Sequence, residues 1–289
     1  MSSISSRPRV QRIQGSILTS LAAGGVVLAA QAVRALIAKS APTTEKLGRA
    51  LPAEHALLPV GDLRDQYLQR RREALDQAQN SLPEVETLRA AALASLDSTP
   101  FCIENTSVLR AQCLALQNAG TRAEIRKAEH ALLDVLTVEH QQIFANAIAL
   151  ACQRAAVRLG FDRVDVVRLP DEVRVIAVDP SGRTLVSEIQ SHERETGITT
   201  EVVGVLDGSC QPLLDRFDQS LEEEGVRSGP PQRRSTGGVC ELAAARAIAR
   251  DRWKPLAKPQ PAAIPEEQET YSRARRLNAP TKLTVRSRG

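Results

Sequence analysis

Apolar residues recur at helical spacing through the first half of the chain and alternate with polar ones through much of the second. From Asp62 the segment DLRDQYLQRRREALDQAQNSL carries Leu63, Tyr67, Leu68, Leu75 and Leu82 near a 3.6-residue period, with charges between them. That is the pattern of an amphipathic helix. Ser81 and Glu84 fit a capping box, with Pro83 in the first turn of a second helix through Leu88, Leu93 and Leu96. Asp97-Ser98-Thr99-Pro100 ends it, and a third helix is predicted over 107–117, stopped by Gly120. Thr121 and Glu124 form another capping box. Behind it Ile125, Ala128, Leu132, Val135, Leu136, Ile143, Ala147, Ala151, Ala155 and Leu159 make a stripe that no Gly or Pro interrupts before Gly160. At 1.5 Å per residue a continuous helix over 121–159 would reach about 58 Å, longer than a small domain, so coiled-coil or helical-hairpin packing is expected.

The period changes after Gly160. Residues 163–167, 173–178, 184–189 and 200–206 are rich in Val and Ile and alternate, and Asp179-Pro180-Ser181-Gly182 supplies a turn between the second and third runs. Four strands of a small antiparallel sheet are predicted. Leu213, Leu214, Phe217 and Leu221 give the helix over 212–224 an apolar face for that sheet, Gly225 ends it, and a second helix is predicted over 241–252. The fold class expected is α+β: a helical, partly coiled-coil amino-terminal region followed by a small antiparallel sheet with two covering helices. The domains expected are an apolar helix over 1–40, a linker over 41–61, a helical region over 62–160, an α+β domain over 161–253 and a disordered basic tail over 254–289, where prolines mix with arginines.

The amino-terminal segment admits three readings. Twenty-one residues without charge lie between Arg12 and Arg34, the length of one bilayer crossing, but Gln14, Ser16, Thr19, Ser20 and Gln31 dilute their apolar content. Gly24-Gly25 is costly in a soluble helix and tolerated in a membrane. A cleaved secretory signal is the second reading, through Ala30-Gln31-Ala32, and a buried or partner-packed helix is the third. An odd number of cysteines, five, without framework spacing argues against export. The expected location is the cytoplasm, with residues 13–33 as a candidate inner-membrane anchor.

Composition narrows the picture. The chain is 42% hydrophobic but only 2% aromatic, so Ala, Leu and Val must form the core and an aromatic-rich binding sandwich is excluded. Net charge is +4, unevenly spread: residues 1–49 carry +6, residues 227–289 carry +9, and the middle is acidic. Basic ends of this kind suit nucleic acid or anionic membrane, although the aromatics that stack bases are missing.

Candidate chemistry is sparse. His130 and His140 lie ten apart on the long helix, rotated by about 280° at 100° per residue, so they do not form a metal pair and are expected to face solvent. Cys102, Cys113 and Cys152 lack zinc-ligand spacing and fit buried thiols. Two segments each deliver a cysteine from a glycine turn to a helix start: Gly208, Ser209 and Cys210, then Gly237, Gly238 and Cys240. A helix start stabilises an anion or a thiolate, so these six residues are a candidate anion or thiol site, with small core cysteines as the alternative. Asp171 and Glu188, on successive strands, with Gln190 two residues on, resemble the PD-(D/E)xK nuclease motif. Gln190 stands where lysine is usual, which weakens activation of the attacking water. No cofactor or resident metal is expected.

Residues 171–250 carry a further resemblance, through Asp179-Pro180-Ser181-Gly182-Arg183, Glu201-Val202-Val203-Gly204-Val205, Asp207-Gly208-Ser209-Cys210 and Thr236-Gly237-Gly238-Val239-Cys240. The segment is similar to a short domain of unknown function in uncharacterised bacterial proteins, often encoded beside AAA+ ATPases. The resemblance implies an accessory role, with an AAA+ ATPase as a partner, and brings no catalytic residue. The expectation is a non-catalytic adaptor, membrane-associated through its amino-terminal segment, that binds a protein partner or itself through residues 62–160. The alternatives are a Mg-dependent nuclease using Asp171, Glu188 and Gln190, and a thiol redox protein using Cys210 and Cys240.

Overall fold

The structure, a computed structural model, describes residues 4–37, 56–78, 84–192, 195–205, 209–235 and 240–252. Residues 1–249 form one compact unit; of the second, residues 250–289, only the end of a helix is described. The element order is β1 (Ile4–Arg7), β2 (Val10–Ile13), α1 (Ser16–Ala23), β3 (Val27–Leu28), α2 (Ala29–Ile37), α3 (Val60–Ala78), α4 (Glu84–Ser98), β4 (Cys102–Ile103), α5 (Thr106–Asn118) and α6 (Arg122–Arg158). There follow β5 (Arg163–Arg168), β6 (Glu172–Val178), β7 (Thr184–His192), β8 (Glu195–Val203), α7 (Cys210–Glu223), β9 (Val226–Ser228), β10 (Gln232–Ser235) and α8 (Ala243–Arg252).

The expected division into a helical amino-terminal region and a later sheet is overturned. The molecule is a mixed α+β structure in which eight described helices accompany a six-stranded antiparallel sheet, order β10-β1-β8-β7-β6-β5, and its amino terminus is mainly strands. β5 to β8 form a meander, but β1 inserts between β8 and β10, and β2 pairs with β9. Each partner lies some two hundred positions away, beyond the reach of any local pattern. The uncharged run over 13–33 is not one helix: Ile13 closes β2, and α1, β3 and α2 follow in turn. Gly15 (φ +87°) and Gly25 (φ +94°) adopt the left-handed conformation that interrupts it. No described helix is long and apolar enough to cross a membrane.

The long helix is real, but it is a spine and not a coiled-coil arm. Thr121 and Glu124 cap α6 reciprocally, as the sequence predicts. Its first half, from Ile125 to Leu136, packs into a helical cluster with α2 to α5, centred on Leu63, Leu96, Phe101 and Leu109. Its second half, from Ile143 to Ala156, packs on one face of the sheet, against Val175, Ala177, Leu185 and Ile189 and against Leu213, Leu214 and Phe217 of α7. Burial on several sides excludes the narrow two-row seam of a coiled coil. On the opposite face of the sheet, Val186 and Val203 meet Cys240, Leu242 and Ala245 at the start of α8.

His140, expected at the surface, is fully buried at the junction between the two halves of α6. Its Nδ1 accepts the Cys102 backbone N–H at 3.0 Å, and Nε2 lies 2.7 Å from the Leu58 carbonyl, to which it donates. Phe144 stacks on the ring and Phe101 meets it edge-on. Three separate segments are thus fastened at one imidazole. Burial holds its pKa down at about 4, so it is neutral and has one donor and one acceptor to match its partners. His130 is exposed.

Candidate functional site

Alternation along β6 and β7 separates their side chains into two sets. Val173, Val175 and Ala177 face α6 with Leu185, Ser187 and Ile189, whereas Glu172, Arg174, Glu188 and Gln190 share the other face, the one α8 covers in part. Glu172 stands across from Gln190 and Arg174 across from Glu188. The Arg174 guanidinium bonds both carboxylates: Nε donates to Glu188 at 3.0 Å and Nη2 donates to Glu172. Gln190 Nε2 completes the group at 3.5 Å from Glu172. Burial, reinforced by the nearby Glu172, raises the Glu188 pKa against the opposing pull of Arg174.

The structure therefore does not bring the candidate nuclease residues together. Asp171 is exposed in the β5–β6 turn, on the side of Ile189 and α6, while Glu188 points to the opposite face and is 5% exposed. The carboxylate that shares an ion pair with Glu188 on that face is Glu172, and the cation between them is Arg174. Among the described residues no cluster of three or more His, Cys, Asp or Glu could hold a metal ion. Sequence reasoning overlooked Glu172 and Arg174, although a signal for them exists. The strict alternation of Glu-Val-Arg-Val-Ile-Ala-Val assigns both to one face.

The candidate thiol pair is separated as well. Cys210, the first residue of α7, is fully buried in the cluster shared with α6, and Cys240 lies in the cluster on the opposite face. Gly208, Gly237 and Gly238 lie outside the described residues, and Ser209 precedes α7. The other three cysteines are buried, and desolvation pushes Cys102 and Cys152 up to about 12 and Cys113 to about 11, the opposite of nucleophile activation. Ahead of α8, where the sequence points to an anion at a helix start, the protein supplies its own. The buried Glu201 carboxylate of β8 accepts the backbone N–H groups of Glu241 at 2.7 Å and Leu242 at 3.1 Å.

On the α6 side the sheet leaves a groove. Val138, Gln141, Gln142, Ala145 and Asn146 of α6 form one wall, and the β5–β6 turn from Arg168 to Asp171, with Val173, Ile189 and Ser191, forms the other. It has a volume of about 560 Å³. Arg168 Nε donates to Asn146 Oδ1 at 3.0 Å, fixing turn to helix. Val138 and Leu169 are 54% and 41% exposed at its rim, and among the described residues β5 beside it is a free sheet edge. Amide side chains, apolar rim and unpaired strand backbone together suit an extended polypeptide better than a small polar substrate. Comparison with known proteins finds no matching family model, no matching curated protein and no matching solved structure.

Proposed function

We propose that this chain is a non-catalytic adaptor that holds a protein partner in the groove between α6 and the β5–β6 turn. The observation that supports the reading best is Arg174. A guanidinium bonded to both Glu172 and Glu188 satisfies the carboxylates that a divalent metal would need. The separated cysteines weigh in the same direction. The likeness of residues 171–250 to a domain encoded beside AAA+ ATPases makes such an ATPase the first partner to examine.

The test pairs two measurements on the full chain. Incubation with Mg²⁺ and supercoiled DNA should give no more nicking for the wild type than for Glu188→Gln, and binding to a purified AAA+ ATPase from the same cells should be at least tenfold weaker in a Val138→Asp, Leu169→Asp variant than in Glu188→Gln. Cleavage abolished by both Glu172→Gln and Glu188→Gln would overturn the non-catalytic reading. Undiminished ATPase binding in the groove variant would overturn the groove's role.

A further inference from the structure

Two short basic segments far apart in sequence meet in the fold, because β1 pairs with β10 and β2 with β9. Residues 4–13 and 226–235 contribute Arg7, Arg9, Arg12, Arg227, Arg233 and Arg234 and no acidic residue. Four of these arginines have carboxylates nearby. Arg7 and Arg234 share Glu241, Arg9 meets Glu195, and Arg233 meets Asp215 and Asp218. The remaining two differ. Arg12 stands directly across from Arg227 on the β2–β9 ribbon, both are exposed, and among the described residues neither has an acidic partner. Like charges directly opposite on paired strands cost stability, so the pair is tolerated for something other than the fold.

We propose that this ribbon binds the phosphate backbone of double-stranded nucleic acid without sequence preference, with Arg12 and Arg227 at the centre of the bound surface. A guanidinium grips phosphate through paired N–H donors, and two arginines on adjacent strands offer two such forks side by side. The ribbon lies against the core through Val10, Ile13 and Val226, which leaves Arg12 and Arg227 on its outward face. Single strands are a poorer fit, since every described aromatic side chain is buried and none can stack a base. A bilayer is a poorer fit too: among the described residues the large exposed apolar side chains lie on α3, α5, α6, β5 and the turn after it, leaving the ribbon without a wedge for lipid. The proposal is independent of the groove and of any adaptor role.

The probe is a fluorescein-labelled duplex of about 30 base pairs and arbitrary sequence, titrated with the full chain between about 50 and 200 mM salt, the range over which phosphate binding changes most. Arg12→Glu should weaken binding at least tenfold while leaving the melting temperature equal or higher, since it sets a carboxylate opposite Arg227 and removes the repulsion. The Arg12→Gln, Arg227→Gln double variant should flatten the plot of log K against log salt by about two units, near 0.9 for each phosphate that goes unneutralised. Arg72→Glu, exposed on α3, should leave binding unchanged. The proposal is overturned by no binding at the lowest salt, by binding that ignores both ribbon substitutions, by an equal loss in Arg72→Glu, or by Arg12-dependent binding to phosphatidylglycerol vesicles with none to the duplex.

Discussion

Toward its amino end α6 meets other helices with Ile125, Ala128, Leu132, Leu133 and Leu136, and toward its carboxyl end it meets the sheet, α1 and α7 with Ala145, Ala147, Ala151, Ala155 and Ala156 among Ile143, Phe144 and Ile148. The side chains differ because the opposing surfaces differ. Between two helical cylinders the gap is wide, and long aliphatic chains must fill it. Against the sheet, the branched side chains of Val175, Leu185 and Ile189 already fill the gap from the far side, and alanines let the helix come close. One helix therefore serves two cores, the sheet-side one richer in alanine, joined at His140.

The comparison can be broken most severely on the helical side. Leu132→Ala should cost about 3–5 kcal/mol in urea denaturation, because neighbouring leucines cannot collapse into the space. Next, Glu129→Gln should cost about 3 kcal/mol: the buried carboxylate accepts from Tyr67 at 2.5 Å and from both sides of the Arg71 guanidinium, and losing its charge leaves Arg71 without its counter-ion. On the sheet side the harmful direction reverses. Ala147→Leu should cost about 2 kcal/mol by overpacking, whereas the same alanine-to-leucine change at Ala123, exposed in the first turn of α6, should be within about 0.5 kcal/mol of neutral.

His140 gives the comparison a pH axis. Its folded pKa, near 4, lies below the usual 6.5, so the unfolded chain binds the proton more readily. Stability from this residue is complete above about pH 6.5 and is lost as the pH falls toward 4. Between about pH 7 and pH 5 the wild type should lose about 2 kcal/mol more than His140→Gln, read from denaturation midpoints at both values. A smaller loss belongs to the sheet half again, where Ala151→Gly should cost about 1 kcal/mol, mostly from backbone entropy.

What could be read from the sequence was local. The capping box at Thr121, the uninterrupted run to Arg158, and the hairpin turn at Asp179, whose carboxylate accepts from Ser181, the Arg183 backbone N–H and the Arg183 side chain, each depend on residues within a few positions. What could not be read was nonlocal. Ser5 and Ser6 fall in the stretch over 1–40 expected to be an apolar helix, and only pairing with Thr200 and Glu201 on one side and Arg233 and Arg234 on the other makes them strand. His140 lies four residues after Leu136 and three before Ile143, so helical spacing already puts it on the buried stripe, but its partners Cys102 and Leu58 arrive from elsewhere in the chain. For the candidate site, strand parity could have placed Glu172 and Arg174 beside Glu188. The groove could not have been foreseen, since it depends on where α6 crosses the β5–β6 turn.

Gly225 shows how narrow the tolerance is at one of these distant joins. At φ +94° its carbonyl accepts the Gln14 N–H at 3.1 Å, and a Cβ there would lie 1.8 Å from the Gln14 carbonyl oxygen.

Pairing of Ser5 with Arg234 also sets a timetable on the ribosome. At synthesis rates of ~5–20 residues per second, β1 waits roughly 10–50 s for its outer neighbour to be made. Throughout that interval the nascent chain carries an open β edge along β1, so a chaperone that shields it during translation should raise the yield of soluble product more than one supplied after release.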